Sequence, residues 1–321
     1  MSSKPQSSHP PVGRLAPSPT GFLHLGHARS FLLAWWHIRS RSGRLVMRME
    51  DLDATRSRPE HVDQALTDLE WLGLDWDGPV ELQSKGIEHL EAAIERLRES
   101  GQTYPCICTR GDLRAAASAP HGGEPRYPGT CRGTYANRQE AAAESGRAAG
   151  LRFAVPDAEV TIPQELGPDL RMNVQTRLGD FIIARKSGEP AYQLAVVVDD
   201  ARQEVTEVLR GADLLESSAR QWHLQRALGL EHPRWLHVPL VVDAQGQRLA
   251  KRNDALSLAT LRAHGVDPRA IVAWAAKSAG VAVAERCTAE SVTASFDIQA
   301  LPRTETRLDP ITMQALVEAR L

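Results

Sequence analysis

Cysteine is scarce in this sequence, and long apolar runs are missing. Only Cys106, Cys108, Cys131 and Cys287 occur in 321 residues, three of them within 26 consecutive positions. In a reducing compartment that clustering favours a metal site over disulfides. No window approaches the roughly 18 uncharged apolar residues of a helical membrane span, which excludes that class. The start, MSSKPQSSHPP, is polar and Pro/Ser-rich and lacks the apolar centre of a signal peptide, so a cytoplasmic chain is expected. Neither charge sign is in excess: 38 Lys+Arg stand against 40 Asp+Glu, a net charge of −2. A uniformly basic nucleic-acid coat is excluded, while a local basic site is not. No repeat of 20 to 50 residues and no long low-complexity tract is visible. What is present is ordinary globular material, 42% hydrophobic and 24% charged, enough for a sizeable core in one or two domains plus an insertion.

Residues 1–10 read as a disordered leader. A strand at 12–16 runs into the turn Pro17-Ser18-Pro19-Thr20-Gly21 and then an apolar helical stretch at 25–38, the opening of a nucleotide-binding α/β unit. A second strand, 45–49, ends in Glu50-Asp51-Leu52-Asp53, placing carboxylates at the end of a strand where open α/β sheets bind ligands. Val62, Ala65, Leu66, Leu69 and Leu72 share one helical face, and Ile87, Leu90, Ile94 and Leu97 another. The stretch 115–129, rich in Ala, Pro and Gly, reads as a long loop. Residues 180–199 read as a hairpin turning at Lys186-Ser187-Gly188. A strand at 205–209, a helix at 216–228 and a buried strand at 238–242 follow, then the basic string Arg248-Leu249-Ala250-Lys251-Arg252 and a mainly helical remainder from 256.

The first 49 residues hold seven Lys/Arg and no acid, and the next four contain Glu50, Asp51 and Asp53. A site for both a polyanion and an ammonium group wants both signs close together. Within the basic stretch lies Arg14-Leu15-Ala16-Pro17-Ser18-Pro19-Thr20-Gly21-Phe22-Leu23-His24-Leu25-Gly26-His27. His24 and His27 flank Gly26 at a helix start, where unpaired N–H groups and the positive dipole end favour phosphate and imidazoles can donate to its oxygens. Gly26 lets a flat nucleotide approach the backbone.

This fourteen-residue segment resembles the signature of class I aminoacyl-tRNA synthetases of the glutamyl type. Arg48-Met49-Glu50-Asp51-Leu52-Asp53, the block from Trp71 to Gly78, Tyr192 to Asp200, and Val208 to Asp213 are similar to further blocks of that family, in its order and spacing. Together they cover most of residues 12–275. The resemblance implies a Rossmann-type α/β catalytic fold that activates L-glutamate with ATP and Mg²⁺. It implies that Arg14 and Arg210 bind the glutamate carboxylates, whose shape suits the guanidinium fork. Glu50 would hold the α-ammonium, Tyr192 would add a hydroxyl, and Ala16 and Ser18 would complete the glutamate pocket. The catalytic group would be His24, His27 and Lys251, with Gly26 joining them on ATP. Lys251 corresponds to the mobile cation loop that stabilises departing pyrophosphate. Arg248 and Ala250 depart from that loop's usual Lys and Ser.

Cys106-x-Cys108 and Cys131 offer three thiolates where tetrahedral zinc wants four ligands. Tyr127, four residues before Cys131, is an unusual fourth ligand on general grounds, and His121 and Cys287 are alternatives. The pattern resembles the zinc insertion of short glutamyl-type paralogues, in which Tyr takes that place; here the 18-residue spacer before Tyr127 is longer. One structural zinc per chain is implied.

The chain runs only about 70 residues past Lys251, too few for the large anticodon-binding region of a full glutamyl-type synthetase. The expected organisation is a leader (1–10), a split Rossmann-type catalytic domain (11–100 and 180–255), a zinc-bearing insertion (101–179) and a small helical region (256–321). The resemblance to the short paralogues implies transfer of glutamate to queuosine at the wobble position of tRNA(Asp), with tRNA(Asp), L-glutamate and ATP as partners and no membrane. Charging of a tRNA 3′ end or small acceptor, and a non-catalytic tRNA-binding relic, are the rival readings.

Overall fold

The computed structural model describes residues 10–116, 126–249 and 257–321. Outside them lie all but Pro10 of the expected leader, the centre of the expected 115–129 loop with His121, and Lys251 with its neighbours 250–256.

The core of the architecture is a parallel sheet. β1 (Val12–Leu15) pairs with β2 (Arg44–Met49), and β2 with the short β3 (Glu81–Leu82). β9 (Glu207–Gly211) pairs in parallel with β10 (Arg234–Val238). The two parts meet where the Thr206 N–H donates to the Val12 carbonyl at 2.9 Å, which sets β9 beside β1. The order is therefore β3-β2-β1-β9-β10, all parallel, with the chain's winding across the sheet reversing between β1 and β9. A crevice opens at such a switch point, beyond the carboxyl ends of the strands.

Helix α1 (Leu25–Arg39) crosses from β1 to β2 and is buried at ten of its positions, including Leu32, Leu33 and Trp36. Gly13 makes this close packing possible, because a Cβ there would lie 2.5 Å from the Ile38 side chain. The amphipathic α2 (Pro59–Trp71) and α3 (Ile87–Glu99) bury the faces their spacing predicts.

Between α3 and the second half of the sheet the chain builds a separate antiparallel unit. It contains β4 (Thr103–Cys106), α4 (Arg110–Ala116), α5 (Arg138–Ser145), β5 (Gly150–Phe153), the β6–β7 hairpin (Glu159–Ile162, Leu170–Asn173), α6 (Val174–Arg177) and β8 (Phe181–Ala184). Its Tyr104, Cys106, Tyr127 and Cys131 form their own buried cluster.

Three sequence expectations are corrected. The turn near 186–188 is present, but the chain returns as α7 (Tyr192–Arg202), so 180–199 is a strand and a helix, not a hairpin. The Val-rich run 194–198 favours a strand locally; packing of α7 on α3, α8 (Leu215–Leu228) and β8 overrides that preference. The strand expected at 238–242 is split into β10 and β11 (Val241–Val242), because Pro239 lacks the N–H to continue the ladder. Residues 115 and 116, expected in a loop, are the last two of α4.

After the undescribed 250–256, α9 (Leu258–Ala263), α10 (Pro268–Ser278), α11 (Ala289–Thr293) and α12 (Pro310–Glu318) follow, with β12 (Thr306–Arg307) pairing with β11. These helices share one apolar cluster with α1. Trp36 Nε1 donates to the Ala289 carbonyl, and Arg29 joins Ser278 and the Pro239 carbonyl.

Candidate active site

At the switch point lies a cavity of about 390 Å³. Arg14, Ala16, Ser18, His24, Gly26, His27, Glu50, Tyr192 and Arg210 all line it. Every glutamate- or ATP-site residue named from the sequence is thus in one place, apart from Lys251, which lies outside the described residues. Arg248 and Leu249, at the start of the cation string, also face the cavity, and Arg248 pairs with Asp213 at 2.6 Å.

β1 and β9 supply Arg14 and Arg210, both buried. The side chain of Arg14 meets Asp200 at 3.4 Å and the Leu209 carbonyl at 3.4 Å. Arg48, fully buried, bridges Asp200 (2.8 Å) and Glu50 (3.3 Å), so two guanidiniums and two carboxylates form one network. Burial pushes the Glu50 carboxyl up, while Arg48 and Arg14 pull it down; the net direction is up. Burial also raises the Tyr192 hydroxyl, which keeps it a neutral donor.

Arg210 is held on three sides. Its Nε donates to His237 Nε2 (3.1 Å), its Nη2 donates to the Leu214 carbonyl (3.2 Å), and its guanidinium lies 4.7 Å above the Trp235 ring. Its Nη1 is buried without a hydrogen-bond partner. Burial lowers its pKa to about 10, still charged at neutral pH. A buried cation with an unused donor is costly unless an anion completes it.

α1 begins at the other wall. His24 is its N-cap: its Nδ1 accepts from Gly26 N–H (3.1 Å), and His27 Nδ1 accepts from His24 N–H (3.2 Å). The two rings stack at 3.8 Å. Because each Nδ1 accepts, a neutral ring carries its proton on Nε2. Gly26 has a second reason to lack a side chain: a Cβ would lie 3.0 Å from the His24 ring.

Arg48, Asp200 and His237 hold the pocket's charges and were not singled out from the sequence. The Asp199-Asp200 pair following an apolar run was the available signal for one of them; nothing local marks His237.

The Cys106, Cys108 and Cys131 sulfurs lie within 4.8 Å of one another and could hold a metal ion. Cys106 Sγ is 3.5 Å from Tyr127 Oη, which also accepts from the Cys131 N–H at 2.8 Å. Three thiols and a phenol oxygen thus converge, a donor set that fits zinc. Cys287 packs against the other apolar cluster and takes no part. Arg152 donates to Cys106 Sγ at 3.1 Å and stacks 3.6 Å from the Tyr127 ring centre.

A Rossmann-type crevice walled by the His-capped start of α1 defines a class I synthetase catalytic domain. The family described as tRNA synthetases class I (E and Q), catalytic domain, matches residues 12–313, and the chain is a class I tRNA synthetase-like ligase. It is similar to the glutamyl-Q tRNA(Asp) synthetase of Symbiobacterium thermophilum, with 44% identity over 95% of this chain and 98% of that protein. It is also similar to that of Deinococcus radiodurans, with 48% identity over 82% and 86%. The chain belongs to the glutamyl-Q tRNA(Asp) synthetase family. A glutamate tRNA ligase structure from Elizabethkingia meningosepticum shares the fold, at TM-score 0.80 and 23% identity, over 96% of this chain and 69% of that one.

Proposed function

We propose that this chain activates L-glutamate with ATP, brought in with Mg²⁺, and transfers the glutamyl group to queuosine at the wobble position of tRNA(Asp). The observation that carries the proposal is the pairing, in one cavity, of buried Arg210, with its unused Nη1, and the His-capped start of α1. The relatives' names supply the acceptor. A cytoplasmic site of action follows from the proposed tRNA substrate.

Arg14 and Arg210 would receive the glutamate carboxylates through charge-assisted hydrogen bonds, Arg210 through its Nη1. Glu50, flanked by Arg48 and Arg14, would receive the α-ammonium, with Ser18, Ala16 and Tyr192 closing the pocket. Held there, a carboxylate oxygen attacks the α-phosphorus, the bond to pyrophosphate breaks, and glutamyl-adenylate forms. No protein nucleophile is needed, so the chain's contribution is positioning and charge stabilisation. His24 and His27 would donate through Nε2 to phosphate oxygens, beside the α1 N–H groups at Gly26. Lys251 would add a cation over the leaving pyrophosphate. In the second step a queuosine hydroxyl attacks the adenylate carbonyl and AMP leaves.

Cys106, Cys108, Tyr127 and Cys131 would hold one zinc, whose role there is to cross-link the insertion. The expected units, 1–10, 11–100 with 180–255, 101–179 and 256–321, are retained as the proposed domain organisation.

Glutamate-dependent ATP–pyrophosphate exchange tests the first step: no exchange at saturating glutamate by folded protein overturns it. Acid-gel or mass analysis of tRNA(Asp) from cells lacking the protein tests the second. Loss of glutamyl-queuosine is expected, and its persistence contradicts the assignment. Retention of glutamate on queuosine-free tRNA would redirect the assignment to a 3′-end acceptor.

A further inference from the structure

Arg210 is aimed by a relay that begins outside the nucleotide-binding sheet. The segment following β6 runs alongside β10: Gln164 bridges to Trp235 in parallel register, and the Glu165 N–H donates to the Trp235 carbonyl at 2.9 Å. This sets the Gln164 side chain against His237, with Gln164 Oε1 2.6 Å from His237 Nδ1. The amide orientation is consistent, since Gln164 Nε2 donates to the Ile162 carbonyl at 3.4 Å and leaves Oε1 to face the ring. An arginine Nε can only donate, so His237 Nε2 must accept, and the ring proton must sit on Nδ1. Gln164 Oε1 is the acceptor that holds it there. All three side chains are buried.

Resting on the glutamate reading of this pocket, we propose that Gln164 and His237 are positioning residues. Gln164 selects the Nδ1–H tautomer of His237, and His237 fixes the Arg210 guanidinium so that Nη1 meets the substrate carboxylate. The insertion thereby reaches into amino-acid selection through one hydrogen-bonded chain. Without Gln164 the imidazole is free to place its proton on Nε2, facing the Arg210 Nε–H donor to donor. Arg210 must then swing away. A protonated His237 has the same effect. Burial, aided by the Arg210 and Arg14 guanidiniums that face the ring and opposed by the Leu214 carbonyl, pushes its pKa down to about 3 and keeps it neutral.

The test compares wild type, Gln164→Leu and Gln164→Glu. Ring ¹⁵N–¹H correlation spectra are expected to show His237 as the Nδ1–H tautomer in wild type and in Gln164→Glu at pH 8, and to lose that state in Gln164→Leu. In pyrophosphate exchange, Gln164→Leu is expected to raise the glutamate KM about tenfold, with the ATP KM and kcat changed less than about twofold. Gln164→Glu keeps the glutamate KM near wild type at pH 8. Its KM climbs as the pH falls toward 6, because the carboxylate favours the imidazolium that cannot accept from Arg210. An Nε2–H tautomer in wild type overturns the inference. So does an unchanged glutamate KM in Gln164→Leu, or equal changes in both KM values and kcat. Wild-type protein without glutamate-dependent exchange overturns the functional reading instead, while the tautomer measurement stands by itself.

Discussion

Arg210 shows how a single side chain can be specified by its neighbours more than by its charge. A guanidinium gripped through Nε and Nη2 offers Nη1 in a fixed direction, which a lysine ammonium on a flexible stem cannot reproduce. Arg210→Lys is therefore expected to raise the glutamate KM in pyrophosphate exchange by about 10- to 100-fold, the scale of one charge-assisted hydrogen bond. The ATP KM should move little. In the proposed reaction His24 and His27 would act through Nε2, since Nδ1 serves the backbone. His24→Ala should lower the exchange kcat by about 10²-fold or more, as loss of one oriented donor to developing charge does. The sequence marked Arg14, Glu50, Tyr192 and Arg210 because each stands in a dense local motif. Arg48 opens the same block as Glu50, but its link to Asp200 exists only in the folded chain, and His237 meets Gln164 across 73 positions.

At the level of elements, the site depends on what each one leaves unpaired. α1 starts with its cap supplied by the same imidazoles that face the cavity, so Gly26→Ala should disturb cap and ligand together by pressing on the His24 ring. The cysteine knuckle joins the end of β4 to the segment around Tyr127 and Cys131 without a large core of its own. Wild-type protein is expected to carry about one zinc per chain by metal analysis. Cys108→Ser should lose most of it and expose the insertion to protease, and wild type free of stoichiometric zinc would refute the assignment. Element identity was legible where periodicity was strong, as in α1, α2 and α3. It failed at 192–202, where an apolar Val-rich run is compatible with either a strand or a fully buried helix and only the neighbouring helices choose.

For the whole molecule, the central fact is that the carboxy-terminal helices and α1 share a core. Trp36 is fully buried and bonded to α11, so Trp36→Ala is expected to cost about 3–5 kcal/mol in denaturant unfolding. Acid should also weaken the fold. Burial and Arg226 push His223 down to about 4, and His237 is lowered likewise. Their unfolded values lie near 6.5. Between those limits the unfolded chain binds more protons, so stability is lost as the pH falls below about 6.5. Burial raises the Glu207 carboxyl, but His37 and Arg41 outweigh it and leave it at about 2; its contribution fades as the pH falls below the ordinary carboxylate range toward that value. Asp68, raised to about 6 by burial, has the opposite sign: its contribution is full below about 4 and lost as the pH rises through 6. Burial lowers His37 and His232 as well, and raises the Glu50 and Asp199 carboxyls as it does Asp68. The lowered histidines outnumber the raised carboxyls four to three, so the melting temperature should drop between pH 7 and 5, and His223→Gln should flatten that slope by about one proton. A melting temperature flat over this range would count against the buried neutral histidines.

Local motifs by themselves determined the class of chemistry. A strand–turn–helix with paired histidines, an acidic strand end and a cysteine cluster are each encoded within fewer than 30 consecutive residues, close enough for the sequence alone to show them. Only the tertiary structure decided how those pieces combine. Setting β9 beside β1 creates the crevice that joins Arg14 to Arg210, closes the Arg48–Asp200–Glu50 network and brings Gln164 to His237. Gln164 and His237 are 73 residues apart, Arg14 and Asp200 186, and such pairs meet because packing helices on the sheet buries these side chains together.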